Sequence, residues 1–179
     1  MRTRLMGLSL AVLAGATLQP SAAKVSADRD HGRDRSFSAV LESFNEVPTL
    51  SVPDARGFFR ARLNHDGDAL HYSLSYSGLS APVLMAHIHI GKSRLNGPIM
   101  VWLCQTATNA DPTTLAPTCP VPEGTVEGTI TAANIITAGT SGIAAGEFDE
   151  FVRALRENAG YANVHTTAFT GGEIRGQVR

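Results

Sequence analysis

The chain has 179 residues, of which 43% are hydrophobic and 17% charged, and its formal net charge is −1 at pH 7. That length fits one ordinary domain with room for a core once a short leader is set aside. The near-neutral balance and the lack of a dense basic patch argue against nucleic acid or an anionic membrane surface as a partner.

The first residues carry Arg2 and Arg4, after which Leu5 to Leu18 runs without a charge and leads to Ser21-Ala22-Ala23. This layout predicts a secretory signal over 1–23 and an exported protein, in the periplasm or at the cell exterior. The apolar run of roughly 14 residues falls short of the roughly 20 that a helix needs to cross a bilayer, so no membrane span is expected in the mature protein. Residues 24–35, KVSADRDHGRDR, are charged and poor in bulky apolar side chains, and read as a flexible leader in which His31 is solvated.

A domain is expected over 36–179, where the pattern changes to short segments of period-two alternation. Phe37, Ala39 and Leu41 alternate with Ser38, Val40 and Glu42, and Phe59, Ala61 and Leu63 alternate with Phe58, Arg60 and Arg62. Asn64-His65-Asp66-Gly67-Asp68 then predicts a hairpin turn, because it lacks the later acidic ligand of a calcium loop. Beyond it, Leu70, Tyr72, Leu74 and Tyr76 face one way and His71, Ser73, Ser75 and Ser77 the other. Further strands are expected at 83–90, 99–104, 124–132, 161–166 and 173–178, about eight in all. The fold class is therefore all-β, an immunoglobulin-like or Greek-key β-sandwich.

Two features interrupt that pattern. Cys104 and Cys119 bracket a loop rich in Pro, Thr, Asn and Asp, and in an exported protein they are expected to form a disulfide. Closing a loop of about 15 residues contributes about 3 kcal/mol in the chain-entropy account. Near 147–158, Phe148, Phe151, Val152 and Leu155 fall at helical spacing with Gly160 just beyond, which predicts one short amphipathic helix ending at a glycine cap.

The stretch most able to carry chemistry is Met85-Ala86-His87-Ile88-His89-Ile90-Gly91. On a strand, Leu84, Ala86, Ile88 and Ile90 form the core face, and His87 and His89 point together to the other side, about 6–7 Å apart. Two such imidazoles bind a metal only if a third ligand approaches from a neighbouring strand. His165 is the candidate, since it shares a face with Tyr161 and Asn163 in Tyr161-Ala162-Asn163-Val164-His165-Thr166. Three neutral imidazoles suit copper, zinc or nickel, with copper or zinc taken as the expected cofactor and with Asn163, Glu173 or water in the remaining position. The competing structural reading has the same histidines hydrogen-bonded to Thr166, Asn163 or Glu173. Asn163, Glu173 and Arg175 are candidates to orient the ligands, although Glu173 and Arg175 equally suit a cross-strand ion pair. Glu46 is not counted as a ligand.

Several spaced motifs resemble the CHRD, or chordin-type, family. They are Phe37-Ser38-Ala39-Val40-Leu41 with Asn45-Glu46-Val47-Pro48, Ala86-His87-Ile88-His89-Ile90-Gly91 with Asn96-Gly97-Pro98, Tyr161-Ala162-Asn163-Val164-His165-Thr166, and Gly171-Gly172-Glu173-Ile174-Arg175-Gly176-Gln177. The resemblance implies a secreted or periplasmic immunoglobulin-like sandwich and no single activity. A looser likeness to Cu/Zn superoxide dismutases rests on the His-x-His strand and the glycine that follows it. It stops short of a two-metal site, because no bridging histidine or histidine-rich zinc loop is present. Three functions stay open at this level: a metal-binding protein using His87, His89 and His165, a copper-dependent superoxide dismutase-like oxidoreductase in which Arg175 steers an anion, and a metal-free adhesion or interaction module.

Overall fold

A computed structural model describes residues 35–137 and 139–179. The expected signal over 1–23 and all of the leader except Arg35, including His31, lie outside the described residues. The strands are β1 (Ser36–Glu42), β2 (Arg56–Leu63), β3 (Leu70–Ser77), β4 (Val83–Ile90), β5 (Ile99–Cys104), β6 (Gly124–Ile130), β7 (Gly160–Thr166) and β8 (Ile174–Gln177), with one α-helix, α1 (Phe148–Arg156), between β6 and β7. Among the described residues no helix is long and apolar enough to cross a membrane.

All neighbouring strands pair antiparallel, in one eight-stranded sheet of order β5-β4-β7-β8-β1-β2-β3-β6. The sheet curls over on itself, which makes it sandwich-like and nearly closed. The clearest sign is Tyr72 of β3, whose hydroxyl donates to the backbone oxygen of Leu103 of β5 at 2.6 Å, joining strands from opposite arms of the order. Between the arms lies the core, with Leu41, Phe59, Leu70, Leu74, Ile88, Leu103, Phe151 and Ile174 fully buried.

In β1, β2 and β3 the alternation behaves as the sequence predicts: Phe37, Ala39 and Leu41 point inward against Phe59, Ala61 and Leu63, and then Leu70, Tyr72, Leu74 and Tyr76. These arms are solvated on one face. In β7 every residue is buried, and in β4 the segment Ala86 to His89 is buried without a break. Both faces of these two strands are covered, and alternation of exposure disappears where the histidines sit.

The helix buries Phe148, Phe151, Val152 and Leu155, the stripe read from sequence. Its end differs from expectation. The left-handed residue is Asn158, at φ 53°, and not Gly160. Asparagine tolerates that conformation best among residues with a side chain. Gly160 instead lets Leu155 pack close to the start of β7, since a Cβ there would stand 2.4 Å from Leu155 Cδ2 and the leucine would have to shift. Cys104 and Cys119 are joined in a disulfide that ties the end of β5 to the segment before β6.

The two arms meet at β8 and β1, where Glu42 pairs with Arg175. Gly176 makes this approach possible, because a Cβ on it would stand 2.2 Å from the Val40 carbonyl oxygen. A backbone obstacle of this kind cannot rotate away. Gly176→Ala is expected to cost about 2–4 kcal/mol in urea unfolding. Gly171→Ala, which meets no atom within 4 Å, is the control and is expected to stay within about 0.5 kcal/mol.

Candidate metal centre

The register between β4 and β7 decides which side chains share a face. Met85 stands opposite His165, His87 opposite Asn163 and His89 opposite Tyr161. Directly paired residues in an antiparallel ladder point the same way, so Met85, His87 and His89 project with Tyr161, Asn163 and His165 away from the main core. On the other flank of β4, His87 pairs with Trp102 of β5. The three histidines predicted from sequence therefore come together: their ligand nitrogens all lie within 4.8 Å of one another, and the ring centroids are 5.5 Å (His87–His89), 5.0 Å (His87–His165) and 5.9 Å (His89–His165) apart. All three are buried, at 0%, 7% and 5% exposure.

Backbone carbonyls determine which nitrogens carry protons. His89 Nδ1 lies 2.9 Å from the Gly97 carbonyl oxygen, and His165 Nδ1 lies 3.0 Å from the Thr170 carbonyl oxygen. A carbonyl can only accept, so both Nδ1 atoms hold a hydrogen and, in the neutral ring, both Nε2 atoms carry a lone pair. His87 Nδ1 is 3.3 Å from His165 Nε2 and donates to it. The consequence is that Nε2 of His87 and Nε2 of His89 are buried with no hydrogen-bond partner. Buried polar atoms of this kind are rare and call for an explanation such as an ion. Two nitrogens bound tetrahedrally at about 2.0–2.1 Å from one zinc ion would be separated by about 3.3 Å.

Burial away from water lowers the pKa of each imidazole. His87 is depressed far below the ordinary histidine value, with help from its two histidine neighbours, and His165 is depressed as well. His89 falls to about 4 despite the opposing hydrogen bond to Gly97, with His165 and the Arg175 charge adding to the depression. Neutral imidazoles are the form that ligates a metal.

Other sequence candidates lie nearby with different partners. Asn163 Nδ2 donates to the Glu46 carboxylate and, at 3.1 Å, to the Ile174 carbonyl oxygen. Glu173 lies before β8 begins, where strand alternation no longer applies, and its two oxygens accept from Ser80 N–H and the Thr166 hydroxyl, each at 2.6 Å. Arg175 donates to Asn96 Oδ1 at 3.0 Å and to the Leu95 carbonyl oxygen at 2.6 Å, and its guanidinium lies 3.5 Å from the centre of the Tyr161 ring. Among the described residues Glu173 and Arg175 form no ion pair with each other. Thr166, Asn163 and Glu173 are not the hydrogen-bond partners of the histidines. Those partners are Gly97, Thr170 and a second histidine.

Sequence reasoning missed several residues around the triad. Tyr161 stacks on His89 with centroids 4.7 Å apart and planes 1° from parallel, and its hydroxyl receives the Gly97 N–H at 3.1 Å. Trp102 meets His87 edge-on at 4.2 Å between centroids. Glu46 is 5% exposed, and burial raises its carboxyl to about 7 against the lowering effects of Asn163 and Arg175. The strict face-sharing of Tyr161 with His165 was the one available signal. The others depend on loops and a strand pairing that no local pattern encodes.

The family model described as CHRD domain matches residues 37–178. No curated protein and no solved structure matches the chain.

The depressed histidines give a signed pH dependence. Below about 6.5 the unfolded chain takes up protons on these rings and the folded chain does not, so stability falls as pH drops toward about 4. Glu46 acts oppositely, binding a proton in the fold from its ordinary value up to about 7. The strongly depressed His87 and His89, with His165 adding in the same direction, outweigh the one carboxyl, so the metal-free protein is expected to gain about one proton or more on unfolding near pH 5.5 and to become more stable up to about pH 6.5. Urea unfolding across that range measures the slope, and a flat profile contradicts the burial of neutral imidazoles.

Proposed function

The chain belongs to the CHRD-domain family, and we propose that it is an exported protein that holds one transition-metal ion, copper or zinc, through His87, His89 and His165. The observation that carries this reading is the donor geometry. Backbone carbonyls fix the tautomers of His89 and His165, the three rings offer nitrogens within 4.8 Å of one another, and Nε2 of His87 and of His89 has no partner within the protein. A purely structural cluster would be expected to use up its lone pairs internally. Carbonyl acceptors behind ligating imidazoles are also the usual outer support of a metal site, because they select the tautomer and hold the ring.

Export is supported by the signal-like layout of residues 1–23 and by the Cys104–Cys119 disulfide, a bond that persists in oxidising compartments. Binding is favoured over superoxide-type catalysis by the state of Arg175. It is 2% exposed and donates to Leu95 and Asn96, which leaves it a loop anchor, whereas an anion guide needs a free guanidinium at the entrance.

Protein purified without an affinity tag is expected to carry about one copper or zinc per chain, and His165→Ala is expected to lose it. The single tryptophan provides an independent optical readout, since Trp102 lies against His87. Copper(II) added to the metal-free protein is expected to quench its fluorescence in the wild type and not in His87→Ala. Unchanged metal stoichiometry in the triple alanine variant of His87, His89 and His165 rules the site out.

A further inference from the structure

A metal held by three imidazoles needs a further donor or an open position, and the side chains around the triad limit what that donor can be. Among the described residues no carboxylate or thiolate joins the histidine cluster. Glu173 uses both of its oxygens on Ser80 and Thr166, and the Glu46 carboxylate accepts from Asn163. The Tyr161 hydroxyl is engaged with Gly97. Hard anionic donors are thus absent from the cluster.

One soft donor is left on the same face. Met85 is the directly paired partner of His165 across β4 and β7, and it precedes His87 by two residues on β4. Paired residues have Cβ atoms about 4.5–5.5 Å apart, and successive same-face residues on a strand are about 6–7 Å apart. An unbranched thioether with three rotatable bonds spans such distances easily. Met85 is also half-buried. We propose that the Met85 sulfur is a fourth donor beside His87, His89 and His165, and that it makes this a site for monovalent copper; the assignment rests on the three-histidine centre being a metal site.

Charge leads to the same ion. The histidine and thioether donors bring no negative charge and the rings are buried, and a cation already stands close by, since the Arg175 guanidinium lies 3.5 Å from the centre of the Tyr161 ring that stacks on His89. In the Born picture the cost of burying an ion scales with the square of its charge, so a monovalent ion costs about a quarter as much as a divalent one where no anionic ligand offsets it. Thioether and imidazole donors together favour copper(I), which is a softer ion than the borderline zinc(II).

The test compares the wild type with Met85→Leu, a volume-conserving change at a half-buried position. Full-length protein is titrated anaerobically with copper(I) against a chromophoric copper(I) chelator, and separately with zinc(II) against a zinc chelator. Met85→Leu is expected to weaken copper(I) binding on the order of 10–100-fold and to leave zinc(II) binding within about threefold. X-ray absorption of the copper(I) wild type is expected to show one sulfur at about 2.3 Å, absent in the variant. Equal copper(I) affinity in the two proteins, with nitrogen-only scattering, overturns the role of Met85 and leaves the three-histidine site standing. An equal loss for both metals marks Met85 as packing and overturns it as well. If the wild type binds neither metal, both the donor assignment and the metal-binding function fall.

Discussion

The antiparallel ladder between β4 and β7 is the constraint on which everything at the candidate centre depends. It sets Met85 against His165 and His87 against Asn163, and a slip of one residue would turn His165 into the main core and Val164 onto the histidine face. Val164 pairs with Ala86 and Ile174 on the core side, where all three are fully buried. Moving those apolar groups out while moving an imidazole in is strongly unfavourable. The hydrophobic core therefore fixes the candidate metal ligands, even though they sit on the opposite side of the same strands.

A second layer closes that side. The segment between β4 and β5 folds back so that Gly97 offers its carbonyl to His89 and its N–H to Tyr161, and Asn96 reaches the Val47 carbonyl oxygen. Arg175 grips the same segment through Leu95 and Asn96 while lying on the Tyr161 ring. An arginine with a planar fork of donors suits this task, because it satisfies two loop acceptors and stacks on an aromatic at once. Its influence on the histidine cluster is indirect: it holds the loop that selects the His89 tautomer, and its charge resists protonation of that ring. On the far flank, the turn before β8 plays the matching part, with the Thr170 carbonyl holding His165.

The pocket combines buried, deprotonated imidazoles with a buried carboxyl at Glu46 whose proton affinity is raised. Both shifts have the same origin, the removal of water from an ionisable group. Their effects on net charge are opposite: the histidines stay neutral at pH 7, and the glutamate, with its carboxyl raised to about 7, is about half ionised there. The result is a dry cluster of neutral imidazoles in which Nε2 of His87 and of His89 has no partner within the protein.

The sequence by itself determined the strands, the helix stripe at Phe148, Phe151, Val152 and Leu155, the cysteine pair and the three histidines, because each of these is written in local periodicity or in residue chemistry. Period two places His87 with His89, and it places His165 with Asn163, whatever the rest of the chain does. Tertiary structure alone decided that β4 lies beside β7, that both faces of these strands are covered, and that Trp102, Gly97 and Thr170 adjoin the triad. Those facts follow from strand order and from loops folding over a sheet, and neither leaves a local mark. The same reason explains Glu173: strand alternation put it with Arg175, but it falls just outside the strand, where the backbone turns and its carboxylate is free to take Ser80 and Thr166 instead.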